Sequence, residues 1–60
     1  MSRESLLKEA LLSFGGSAKM ESLLEYMRER EPRITQEELE RLIDRDPDFM
    51  KVGNRVIYMD

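Results

Sequence analysis

Sixty residues with a formal net charge of −3 make room for a single domain and exclude a deep two-domain cleft. The chain has no cysteine and no histidine. That removes disulfides, thiolate nucleophiles, and the commonest general base and transition-metal ligand.

The first periodic stretch runs from Arg3 to Phe14. Leu6, Leu7, Ala10, Leu11 and Phe14 share one helical face. Ser2 is placed to cap this helix, and Gly15-Gly16 to end it. Leu12 falls off the stripe. Ser17-Ala18-Lys19 reads as a brief extended spacer. Met20, Leu23, Leu24 and Met27 set a second helix that runs to about Glu31, because Pro32 disfavours helical geometry before it. Tyr26 sits beside that stripe. Thr35 and Glu38 form a capping box, and Ile34 with Leu39 a hydrophobic staple. A third helix then carries Leu39, Leu42 and Ile43 inward and ends near Arg45. Asp46-Pro47-Asp48 is a turn.

The period changes at the end. Phe49–Val52 and Arg55–Met59 are rich in β-branched and aromatic residues and flank the two-residue turn Gly53-Asn54. With that turn, Met50, Val52, Ile57 and Met59 share one face, and Phe49, Val56 and Tyr58 the other; a three-residue loop would change the pairing and move Val56 onto the face of Val52. Both faces are apolar, so the pattern leaves open which one points inward. Met20, Met27 and one of Met50 or Met59 are expected to fill core gaps.

The order helix, spacer, helix, helix, hairpin predicts an α+β fold, a winged helix with the spacer as a third strand at the hairpin's edge. Leu11-Leu12-Ser13-Phe14-Gly15-Gly16, followed by Met20-Glu21-Ser22-Leu23-Leu24, resembles the start of LOTUS-type domains. It is also similar to the amino-terminal winged helix of the zinc-finger antiviral protein group. The resemblance covers most of the chain and rests on packing residues. It implies a module, residues 1–60, of a larger protein of RNA regulation. An intracellular place, cytoplasmic or nuclear, goes with that reading.

No catalytic residue is expected, since Lys8, Lys19 and Lys51 lack the apolar settings that lower an amine pKa. No cofactor, small-molecule substrate or membrane partner is expected either. Asp44, Asp46 and Asp48 imitate the opening of a calcium loop. Phe49 and Arg55 occupy the positions where such a loop needs Gly and Glu. The third helix exposes Gln36, Glu37, Glu38, Glu40, Arg41, Asp44 and Arg45, four acids against two bases, which disfavours contact with duplex phosphates. Arg41 and Arg45 are expected to pair with Glu37, Glu38 or Asp44 along the helix.

Two functions follow. The first is contact with a protein partner in an RNA- or chromatin-related regulator, through a surface including Leu12, Tyr26, Glu37, Glu40, Arg41 and Asp44, with the outward hairpin face as a further apolar anchor. The second is direct RNA or DNA binding through Lys19, Arg33, Lys51 and Arg55, gathered near the hairpin and the turn before the third helix. A monomer or a weak homodimer is expected.

Overall fold

The computed structural model describes residues 2–59. Three helices, α1 (Arg3–Ser13), α2 (Met20–Arg30) and α3 (Gln36–Arg45), pack on a sheet made of β1 (Ser17–Lys19), β2 (Phe49–Val52) and β3 (Arg55–Tyr58). The sheet is antiparallel with β3 in the middle, in the order β1-β3-β2.

Local chemistry sets the helix limits. The Ser2 hydroxyl accepts from the Ser5 amide at 3.1 Å and starts α1. At its other end the Gly16 amide donates to the Leu11 carbonyl at 2.7 Å and the Gly15 amide to Leu12 at 3.0 Å. Those are the two bonds of a Schellman ending, and Gly15 supplies the left-handed φ of +82° that it needs. The helix therefore stops at Ser13, and Phe14 leaves the inward stripe on which its spacing had placed it. Phe14 is 43% exposed, its ring edge-on to Tyr26 at 6.0 Å.

The capping box of α3 forms as expected. Thr35 Oγ1 accepts from the Glu38 amide at 3.1 Å, and Glu38 Oε1 accepts from the Thr35 amide at 3.3 Å. Ile34 and Leu39, the staple pair, are both buried. Thr35→Ala removes the first of these bonds and should cost about 0.5–2 kcal/mol. Chemical denaturation measures this, and an unchanged midpoint would count against the cap's role.

Asp46-Pro47-Asp48 is a turn, closed by the Asp48 amide donating to Asp46 Oδ1 at 2.9 Å. Gly53, with φ +61°, opens the hairpin turn in the manner of a type II′ turn. The register sets Val52 opposite Arg55, Met50 opposite Ile57 and Phe49 opposite Tyr58. On the other side of β3, Ala18 faces Val56 and Lys19 faces Arg55.

Burial against the helices decides the orientation that the sequence left open. Phe49, Val56 and Ala18 join the buried cluster, with Tyr58 packed against it. They meet Leu7, Ala10, Leu11, Leu23, Met27, Ile34, Leu39 and Ile43 from the helices and the α2–α3 turn. Of the methionines, Met27 is buried and Met20 partly so, whereas Met50 and Met59 are 41% and 43% exposed. The expectation that one of this last pair fills the core is therefore not met. Strand alternation carries both to the side of the sheet away from the helices.

Candidate functional site

The outer sheet face follows from the register row by row. Nearest the hairpin turn stand Lys19, Arg55 and Val52, and behind them Ser17, Ile57 and Met50. Met59 continues the alternation one residue beyond β3, where its amide donates to the Asp48 carbonyl at 2.6 Å. Val52 is 53% exposed. Four apolar side chains thus lie outward together, an arrangement associated with interaction surfaces. Arg55 Nε donates to Ser17 Oγ at 3.2 Å across the strands, which fixes one cation beside the apolar group.

The four residues expected to bind nucleic acid do not form one group. Lys19 and Arg55 share the outer face. Lys51 is on the inner face opposite Val56, and its ammonium reaches α3, 3.4 Å from Glu40 and 3.6 Å from Asp44. Arg33 lies in the turn before α3 and lines a shallow depression with Arg3, Glu31 and Pro32.

The surface expected to meet a protein partner is also divided. Leu12 is exposed at 55% on α1. Tyr26 is engaged on both sides, with Phe14 at its edge and the Arg30 guanidinium 3.8 Å from its ring centre. Glu40 and Asp44 hold Lys51, and Gln36 donates to Glu40 at 3.1 Å. Glu37 and Arg41 are exposed. The pairing expected along α3 is absent: among the described residues Arg41 and Arg45 form no ion pair. Competition from other elements accounts for two of the expected acids, while Glu37 is in no ion pair among the described residues. Glu38 is taken by Arg3 from the start of α1, and Asp44 by Lys51 from β2. Three of the four acids on α3, Glu38, Glu40 and Asp44, thus face cations brought by α1 and the hairpin, so the helix is less repulsive to phosphate than its own composition implied.

Arg3 ties three elements. Its Nε is 3.0 Å from Glu31 at the end of α2, and its Nη1 meets Glu38 in the first turn of α3. The Arg3 guanidinium, with Thr35 in support, holds the Glu38 carboxyl below the usual range. Gln36, then Lys51, does the same for Glu40, while Glu40 and Asp44 raise the Lys51 ammonium. A carboxylate with a depressed folded-state pKa stabilises fully above its ordinary value of 4.5, and that contribution is lost as pH falls through the lower folded value. The melting temperature should therefore drop on acidification below 4.5, and drop less in Arg3→Ala than in the wild type. Parallel acid profiles for the two proteins would contradict a stabilising role for this contact. All these side chains keep partial access to water, which keeps each contribution small.

Among the described residues no cluster of His, Cys, Asp and Glu is arranged to hold a metal ion, and no helix is long and apolar enough to cross a membrane. The outer sheet face escaped the sequence reading only in its orientation; the signal was present in the alternation of Met50, Val52, Ile57 and Met59. Compared with family models, with curated proteins and with solved structures, the chain matches none.

Proposed function

We propose that the chain is a non-catalytic winged-helix recognition module whose partner is a protein. The element order, with β1 at the edge of the closing hairpin, supports the winged-helix reading, and the hairpin is then the wing. The resemblance to LOTUS-type domains supports a setting in RNA regulation. One observation carries the choice of partner: the outward cluster of Met50, Val52, Ile57 and Met59. A phosphate backbone is held by cations, whereas this face offers mainly thioether and aliphatic carbon, the material of a protein interface core.

Direct nucleic-acid binding is the second reading, favoured by Arg41 and Arg45 on α3, which form no ion pair among the described residues. Titrating labelled duplex DNA, single-stranded DNA and an RNA hairpin at low salt separates the two. The protein reading expects no binding tighter than about 100 μM, the weak end of non-specific association. Tighter binding that falls steeply with salt and vanishes in Arg41→Glu/Arg45→Glu or Lys19→Glu/Arg55→Glu would overturn it.

A further inference from the structure

We propose that the outer sheet face docks a partner segment in which apolar residues adjoin a cluster of acids. This rests on the protein-recognition reading and names the chemistry of the partner at that site. The argument is complementarity of charge and shape. The chain is acidic overall, yet the strand positions of this face hold Lys19 and Arg55 and no acid. The two cations are direct register partners at one corner, beside Val52. Like charges set directly opposite each other repel, and an arriving carboxylate relieves that repulsion while its apolar neighbours cover Val52, Met50 and Ile57. Asp48 marks the other end, opposite Met59. The face is therefore polar along the strands, with its cationic end at the hairpin turn, and the acids of the partner belong over that end.

Cations at an interface rim steer association and select partners more than they add affinity. The selection should thus be reversible by charge. The probes are two synthetic peptides with the same leucines and methionines at helical spacing, one flanked by glutamates and the other by lysines. Amide shifts of the ¹⁵N-labelled chain are followed at low salt. The acidic peptide should move Lys19, Val52, Arg55 and Ile57, and the lysine peptide should not. Lys19→Glu/Arg55→Glu, two changes at exposed strand positions, should weaken the acidic peptide at least about tenfold and admit the lysine peptide.

Shifts confined to α3, or binding indifferent to the charge reversal, would overturn this docking site while leaving a protein partner for the module intact. Shifts at the same residues on concentrating the chain alone would make the occupant a second copy and overturn the acidic segment. Salt-steep binding of the RNA hairpin at these residues, with no response to either peptide, would overturn both the segment and the reading beneath it.

Discussion

Leu39→Ala should cost about 2–5 kcal/mol, a large part of the stability available to so short a chain. Folded domains have roughly 0.05–0.15 kcal/mol per residue, or about 3–9 kcal/mol at this length. Leu39 is fully buried. It is the N4 partner of Ile34 in the staple that fixes the entry of the chain into α3, and it belongs to the buried core cluster. Truncation removes its apolar transfer and leaves a cavity in the packed core. Each kcal/mol lowers the melting temperature by about 4–8 °C in a domain of this size. The control is the same chemical change at Leu12, 55% exposed on α1, which should stay within about 0.5 kcal/mol of wild type. Equal losses at the two leucines, read from thermal and urea unfolding, would contradict the assignment of the core.

Val56→Asp has a larger effect still, and its comparison with Val52→Asp tests the orientation of the hairpin. Val56 is at 0% exposure in the middle strand, between Ala18 and Lys51 in register and under α1. A carboxylate there loses its hydration without a partner positioned to replace it, at a cost of several kcal/mol even after its pKa adjusts. The chain should be unfolded at neutral pH. Val52, four positions away and on the opposite face, already stands in water. Val52→Asp forfeits some β propensity, on a scale spanning only about 1 kcal/mol, and gains a charge opposite Arg55. It should fold. Circular dichroism decides between them, and a folded Val56→Asp would reverse the two faces of the sheet.

That orientation is where the sequence stops being sufficient. The signals that were legible act over a few residues. They include the Ser2 and Thr35 caps, the Gly15-Gly16 ending, the Pro32 boundary, and the Gly53-Asn54 turn with its register. A two-residue turn says which side chains share a face, and it was correct about all seven apolar residues of the hairpin. It does not say which face meets the helices, because Phe49, Val56 and Tyr58 are no more apolar than Met50, Val52, Ile57 and Met59. The choice is made by tertiary packing: Phe49, Val56 and Ala18 join the buried cluster with Tyr58 packed against it, and the Phe49 and Tyr58 rings meet tilted at 5.4 Å on the inner side.

The ion pairs were hidden for a related reason. Spacing along a helix suggests Arg41 with Glu37 or Glu38, but Glu38, Glu40 and Asp44 are met by Arg3 and Lys51. Those partners lie 35 residues from Glu38 and 11 from Glu40. No local rule connects such positions. Their consequence for the candidate site is direct: Lys51 leaves the basic set, while Arg41 and Arg45 are the bases of α3 without an ion pair among the described residues.

The most direct measurement of the account uses the methionine methyl groups as reporters of the two sheet faces. With ¹³C-methyl methionine and a soluble paramagnetic agent, Met50 and Met59 should broaden strongly, Met20 less, and Met27 least of all, following their exposure. Sedimentation of the same sample fixes the monomer condition. If Met50 and Met59 in the monomer were shielded as fully as Met27, the outward apolar face would not exist, and the recognition surface built on it would fall.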